Sequence, residues 1–249
     1  MITSKQNSLV KFIRSLQDKK NRDQNGLYIV EGVKMVREAM ASGMDFYALV
    51  CTEKGSTLLG ETQGFEGGKI IEKQTVSDEV FKTISGEVSP QGVLAILYKP
   101  NIEVKSPKGS CLFLDGVSDP ANVGMIIRTA AASGYSELYL ADCADAFSPK
   151  AVRASMSGIF KVSVYTGGRE ELLSKINLPL AIADMNGKNV FELAPQDNVC
   201  LVIGNEAHGV SRELKEKADI VLSIPMQNGM ESLNAAVSAS ILMYTLKKS

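Results

Sequence analysis

Leu114-Asp115-Gly116-Val117-Ser118-Asp119-Pro120-Ala121-Asn122-Val123-Gly124-Met125-Ile126-Ile127-Arg128-Thr129-Ala130 is the stretch whose reading decides the fold. It begins at the end of an apolar, strand-like run, Cys111–Leu114. Asp119 before Pro120 marks a helix start: the aspartate can cap free N–H groups, and proline fits the first helical position because its missing N–H is not needed there. Val123, Ile126, Ile127, Ala130 and Ala131 then recur at helical spacing and predict a buried stripe. Asn122, Met125 and Arg128 follow a neighbouring face. The stretch is one strand–turn–helix unit.

The same alternation continues outward. Further strands are expected at Glu137–Leu140, Leu180–Ala183, Val199–Ile203 and Ile220–Ile224, with helices between them and a last helix from Ser232 to Lys247. This pattern predicts an α/β domain with a mainly parallel sheet. Upstream, residues 99–109 are polar and hold Pro100 and Pro107, which reads as a linker. In front of it, Leu9, Phe12, Ile13 and Leu16 predict an amphipathic helix over Asn7–Gln17. A strand at Leu27–Val30, a helix at Gly32–Met40 and strands at Phe46–Cys51 and Gln91–Tyr98 follow. Gly55, Gly60, Gly64, Gly67 and Gly68 predict a loop between the last two strands. The expected organisation is a smaller α/β domain over residues 1–100, a linker over 101–109 and a larger α/β domain over 110–249.

Composition and missing signals narrow the function. With 249 residues, 45% hydrophobic and 22% charged, the chain is neither disordered nor fibrous. No apolar run approaches the roughly 18–20 residues that cross a bilayer, and the first residues carry no apolar export segment, so a cytoplasmic protein without membrane contact is expected. Cys51, Cys111, Cys143 and Cys200 include no CxxC pair and are expected as reduced thiols. The single histidine, His208, excludes a multi-histidine metal site, and no metal is expected. No GxGxxG, GxxxxGK[ST] or GxSxG motif occurs.

Net charge is −1, yet residues 1–40 carry eight basic and four acidic side chains, leaving −5 for the remainder. Lys11, Arg14, Lys19, Lys20 and Arg22 are the candidates for neutralising phosphates, against the alternative of a solvated helical surface.

Three turns after strands stand out, because open α/β sheets place ligands at strand ends. In the first, Arg128 is either a fixed cation for a phosphate or reacting hydroxyl, or an ordinary surface arginine. The second is Gly204-Asn205-Glu206-Ala207-His208-Gly209-Val210-Ser211. There Gly204 allows close approach to a ligand, or the segment is a plain turn with Ser211 capping the next helix. His208 reads as a surface histidine rather than a base. In the third, Ile224–Asn234, a strand ends at a proline and a helix opens at Ser232 and Asn234, with Leu233, Ala236, Val237, Ile241 and Tyr244 as its apolar stripe. That helix either serves a ligand site or is merely a capped terminal element.

Taken together, Asn122-x-Gly124-x-x-x-Arg128-Thr129-Ala130, then Gly204-Asn205-Glu206-x-x-Gly209-Val210-Ser211, then Ile224-Pro225-Met226 and Glu231-Ser232-Leu233-Asn234-Ala235-Ala236-Val237-Ser238-Ala239 resemble the three motifs of the SpoU (TrmH-like) family of RNA methyltransferases, within the SPOUT superfamily. The resemblance covers about residues 110–247. The first half, through its basic helix and Gly26-Leu27-Tyr28-Ile29-Val30-Glu31-Gly32, resembles the small substrate-binding domain often found before it.

The resemblance implies a SPOUT-type domain with a parallel sheet and a deep trefoil knot, a rare exception to unknotted topology. It implies S-adenosyl-L-methionine as cofactor, held in the knot, and a homodimer through the C-terminal domain. The implied reaction is methylation of a ribose 2′-hydroxyl in structured RNA, with ribosomal RNA favoured. Arg128 would stand nearest the hydroxyl, as proton acceptor or as electrostatic stabiliser. Asn122 would position the nucleotide or Arg128, Glu206 would orient groups of the site, and Ser232 and Asn234 would contact substrate or order their loop. Gly204, Ile224 and Leu233 match cofactor-holding positions, with Met226 as a further wall. The competing readings are a transfer RNA 2′-O-methyltransferase, a non-catalytic RNA-binding assembly factor, and a small-molecule α/β enzyme, which lacks a nucleophile–base pair.

Overall fold

The structure, a computed structural model, describes residues 1–60 and 70–247. The first unit opens with α1 (Ser8–Ser15), α2 (Lys19–Asn25), β1 (Leu27–Glu31), α3 (Val33–Ala41), β2 (Phe46–Cys51), α4 (Glu53–Leu59), β3 (Ile70–Thr75), α5 (Asp78–Phe81) and β4 (Val93–Tyr98). The second contains β5 (Cys111–Asp115), α6 (Pro120–Ser133) and β6 (Glu137–Ala141). After α7 (Pro149–Ser155) come β7 (Ser163–Gly167), α8 (Arg169–Leu173), β8 (Leu180–Asn189), β9 (Cys200–Gly204), α9 (Arg212–Glu216), β10 (Ile220–Ser223) and α10 (Ala235–Leu246).

In the first unit the strands form one mixed sheet in the order β1-β4-β2-β3, with only β2 and β3 parallel. Strand alternation divides its side chains between two apolar layers. Leu27, Ile29, Ala48 and Ile96 pack with Val10, Ile13 and Leu16 of the opening helix on one face. Tyr28, Val30, Leu49 and Ala95 pack with Met35 and Val36 on the other. Asn7, read as the first residue of the helix, is instead its cap and accepts the Leu9 N–H. The N-terminus is tied to the sheet edge, Ile2 donating to the Thr75 carbonyl at 2.7 Å.

The glycine-rich loop expected after β2 begins instead as α4, capped by Thr52. Gly55 lies inside that helix for a packing reason: a Cβ there would fall 1.9 Å from the Gly92 carbonyl oxygen. Gly64, Gly67 and Gly68 lie outside the described residues. Residues 147–160, placed in the second domain from the sequence, belong to the first unit. Val152 joins its core, and Phe147 meets Tyr28 edge-on at 5.1 Å.

In the second unit six strands form a wholly parallel sheet, in the order β10-β8-β9-β5-β6-β7. β5 and β9 are buried along both faces, as central parallel strands are. The edge strand β7 was not expected, because Ser163–Gly167 has no alternation strong enough to announce it. Pro120 opens α6 with Asp119 as its cap, as predicted. α10 packs on α6, the Thr129 and Ser240 hydroxyls lying 3.0 Å apart. Its start and its face differ from expectation. Ser232 and Leu233 precede the helix, which begins after Asn234. The buried face is Ala235, Ala236, Ala239, Leu242, Met243 and Leu246, while Val237 and Tyr244 are 46% and 58% exposed. A helix apolar on nearly every side gives periodicity no face to select.

Candidate active site

The parallel register of β5 and β9 sets Asp115 beside Gly204, so the turns that follow these strands are neighbours at the C-terminal end of the sheet. The return from edge strand β10 to α10, which lies on α6, brings in the third segment, residues 224–234.

A relay of hydrogen bonds joins the three. Glu206 accepts from the Ser118 N–H at 3.1 Å, the Ser118 hydroxyl at 2.9 Å and the Asn122 amide at 2.8 Å. Asn122 in turn accepts from the Asn234 side-chain amide at 2.9 Å. Asn234 uses its own oxygen to cap α10, accepting from Ala236 N–H at 2.9 Å and Val237 N–H at 3.3 Å. Each amide orientation follows from its neighbour: a carboxylate only accepts and backbone N–H groups only donate. Asn122 is buried, so these bonds replace its lost hydration. Burial pushes the Glu206 carboxyl up, but its donors outweigh that and hold it down to about 2.

The 204–211 turn is built around two glycines. A Cβ on Gly204 would lie 2.2 Å from the Gly209 carbonyl carbon and the Val210 nitrogen, because Asn205 and Gly209 exchange backbone hydrogen bonds at 3.0 and 2.9 Å. The close approach expected at Gly204 is therefore, first, an approach of its own turn. Gly209 has φ +67°, where side chains are strained. Asn205 locks the turn by donating to the Gly116 carbonyl at 2.7 Å and accepting from Ala207 and His208 N–H. Ser211 donates its N–H to the buried Asp115 carboxylate at 2.7 Å, and Arg169 holds the other oxygen of that carboxylate at 2.7 Å. Ser211 does not cap α9 through its side chain, and His208 is exposed.

Beside the relay lies a cavity of about 640 Å³, within the size range of small-molecule sites. The structure brings Gly204, Ile224, Met226 and Leu233 to its wall, together with Glu206 and Ser232. Asn122, buried, and Asn234, exposed, are not on the wall themselves and are joined to it through Glu206 and to each other. Arg128, two turns beyond Asn122 on α6, is exposed and makes no hydrogen bond or ion pair among the described residues. Asn205 stands in the second motif with no role assigned from sequence, and three polar contributors have no sequence signal strong enough to find them: Ser118, Asp184 and Lys215. The last two pair at 2.7 Å on the cavity wall.

Of the five basic residues proposed for phosphate contact, Lys11 and Lys20 are exposed and unpaired among the described residues. Lys19 pairs with Asp23 at 2.5 Å, and Arg14 donates to the Thr83 carbonyl at 3.2 Å. Arg22 corrects the expectation outright. It is 2% exposed, and its guanidinium donates to the carbonyls of Leu16 at 2.8 Å and Gln17 at 2.6 Å, closing the α1–α2 corner.

Comparison with known proteins places this arrangement in a class. Residues 109–244 match the SpoU rRNA Methylase family, and residues 7–95 match the MRM3-like substrate binding domain. The chain belongs to the SpoU rRNA methylase family. It is 31% identical to 23S rRNA (guanosine(2553)-2′-O)-methyltransferase RlmP of Bacillus subtilis, over 99% of this chain and 98% of that one. It is 26% identical to mitochondrial rRNA methyltransferase 3 of Xenopus laevis, over 96% of this chain and 73% of that protein. Among solved structures, the AdoMet-bound rRNA methyltransferase from Sinorhizobium meliloti superposes with a TM-score of 0.84 at 28% identity, covering 98% and 96% of the two chains.

Proposed function

We propose that this protein transfers the methyl group of S-adenosyl-L-methionine to a ribose 2′-hydroxyl of ribosomal RNA. The observation that carries the reading is the Ser118–Glu206–Asn122–Asn234 relay, which binds the three motif segments into one wall beside the cavity. The names of the relatives favour ribosomal over transfer RNA. A cytoplasmic location goes with this reading.

When bound, the cofactor supplies an electrophilic methyl on a sulfonium. The cavity suits it: Ile224, Met226 and Leu233 offer apolar wall, and Gly204 brings its backbone to the same wall. The protein must then bring a ribose hydroxyl into line and stabilise its oxygen as the proton departs. Glu206 does not take that proton, since a carboxyl held near 2 is a poor base at neutral pH. Its charge serves instead to fix Asn122 and, through it, the start of α10. Arg128, exposed on α6, is assigned to the hydroxyl because it matches the arginine of the family's first motif. A guanidinium keeps its proton in water, so Arg128 acts as a fixed cation for the developing alkoxide and the adjoining RNA phosphate. Ser232, exposed at the cavity and without a hydrogen bond among the described residues, is free to meet the nucleotide.

Two further features belong to the same proposal. The return of residues 224–234 from β10 toward α6 is the stretch in which the threaded, knotted C-terminal chain would form. The exposed apolar side chains Met125, Val237 and Tyr244 give α6 and α10 a face for a second copy of the chain.

The test is methyl transfer from labelled S-adenosylmethionine to total RNA of a strain lacking this protein, followed by nuclease digestion and mass spectrometry. A single 2′-O-methylated nucleotide in ribosomal RNA is expected. Label in transfer RNA overturns the substrate. No label, together with no cofactor binding, overturns the enzyme reading and leaves an RNA-binding protein.

A further inference from the structure

Strand β8 does not run straight. It pairs with β10 at Ala181↔Ile220 and Ile182↔Val221, and then the register jumps to Lys188↔Leu222 and Asn189↔Ser223. Residues 183–187 are surplus on the β8 side and bulge from the ladder. The bulge is a built feature. A Cβ on Gly187 would fall 2.4 Å from the Leu222 carbonyl carbon, so only glycine lets the two backbones meet. The Ser223 hydroxyl donates to the Gly187 carbonyl at 2.9 Å.

What the bulge delivers to the cavity is Asp184. The ladder with β9 ends at Ile182↔Val202, and Asp184, two residues on, lines the cavity together with Gly204, at the strand ends where open α/β sheets hold their ligands. Its side chain is 18% exposed. Oδ2 accepts from the Lys215 ammonium at 2.7 Å, and Oδ1 from the Asn186 N–H at 3.1 Å and the Asn186 side-chain amide at 3.4 Å. These partners hold the carboxyl ionised and below its ordinary range. Neither Asp184 nor Lys215 takes part in the relay around Glu206.

Resting on the methyl-donor reading above, we propose that Asp184 is the residue that takes the ribose diol of the cofactor. Oδ2 keeps an acceptor site beside Lys215, and Oδ1 gains one when a hydroxyl replaces the long 3.4 Å contact from the Asn186 side-chain amide, so two vicinal hydroxyl donors can be met. An acidic side chain at a strand end accepting from a ribose hydroxyl is a recurrent solution in α/β nucleoside sites. The ammonium of the cofactor's amino-acid end is the worse partner, because it would compete with Lys215 for the same carboxylate. Hydroxyls add to the ion pair without displacing it. Lys215 thus has a positioning role, holding Asp184 in one rotamer.

The experiment is a calorimetric binding cycle on the full chain. The wild type, Asp184→Ala and Asp184→Asn are titrated with S-adenosylhomocysteine, its 2′-deoxy and 3′-deoxy analogues, and 5′-methylthioadenosine. In the wild type, loss of a ribose hydroxyl is expected to weaken binding about tenfold, the size of one hydrogen bond to a charged group. In Asp184→Ala the parent and the deoxy ligands are expected to bind within twofold of each other. Asp184→Asn, the same shape without charge, keeps the fold and is expected to retain part of the discrimination. If deoxy loss and the Asp184 substitutions add independently, the assignment is overturned. It is overturned as well if Asp184→Ala weakens S-adenosylhomocysteine but not 5′-methylthioadenosine, which would place the amino-acid end at Asp184. Wild-type protein that binds none of the four overturns the methyl-donor reading itself.

Discussion

The α1–α2 corner and helix α6 each carry an arginine that sequence alone treats alike. Arg22 lies in a basic segment of net charge +4 and looks like a phosphate contact, whereas Arg128 is a lone cation on an otherwise apolar helix. In the folded chain their situations are opposite. Arg22 is buried, with its Nη1 donating to the Leu16 and Gln17 carbonyls. Arg128 is exposed, with its donors unused among the described residues. A cluster of charge therefore says less about function than the question of which donors still lack an acceptor. Backbone carbonyls at a tight corner must find partners, and an arginine nearby is consumed in supplying them.

Four measurements break or sharpen that contrast. The largest effect is expected from Arg128→Ala. Loss of a charged group aimed at the developing oxyanion should lower kcat about 10²–10³-fold, with S-adenosylmethionine affinity within about threefold of wild type. Single-turnover methylation beside calorimetry checks this, and surviving activity would remove Arg128 from the reaction. Arg22→Ala should act on stability instead. Stranding two buried carbonyls and losing charge-assisted bonds should cost about 2–3 kcal/mol in urea unfolding. RNA affinity, measured well below the transition, should not move; a loss there would restore Arg22 to the RNA surface.

A smaller effect is expected from Lys11→Glu with Lys20→Glu, two exposed cations of the same segment that are unpaired among the described residues. Fewer phosphate contacts should flatten the salt dependence of RNA binding, by about one unit of log–log slope per lysine. An unchanged slope would mean that this face is only solvated. The smallest effect concerns Glu206. Its folded carboxyl, near 2, is depressed below the ordinary 4.5, so it contributes stability above pH 4.5 that is lost as pH falls toward 2. Discounted for its exposure to solvent, this amounts to about 1 kcal/mol. The gap in unfolding free energy between wild type and Glu206→Gln should be full at pH 7 and shrink through that window. A gap independent of pH would mean that the relay depends on shape rather than charge.

Much of the fold was legible because the signals were local. Asp119-Pro120 announced the start of α6, and the apolar runs of β5, β6 and β9 announced a parallel sheet. The motif spacing assembled most of the cavity wall: Gly204, Ile224, Met226 and Leu233 do meet. Failures came where long-range packing sets the answer. α10 buries Ala239 and Leu242 and exposes Tyr244, because it is apolar on most sides and α6 chooses which side is covered. Gly55 looks like loop and is helix, since the deciding contact is with Gly92, far along the chain. Asp184 carries no motif at all; a register jump against β10 brings it to the cavity.

The sequence by itself determined the order of the three motif segments, the start of α6 and the parallel sheet. These depend on neighbours a few positions away, through hydrogen bonds and side-chain periodicity that any chain with those residues would share. Only the tertiary structure decided which polar groups are free to act. Glu206 is separated from Asn122 by 84 residues and Asn234 from Asn122 by 112, so their pairing exists only when the sheet is assembled. Whether a donor remains available depends on every acceptor that folding brings within reach, and that is a property of the packed molecule.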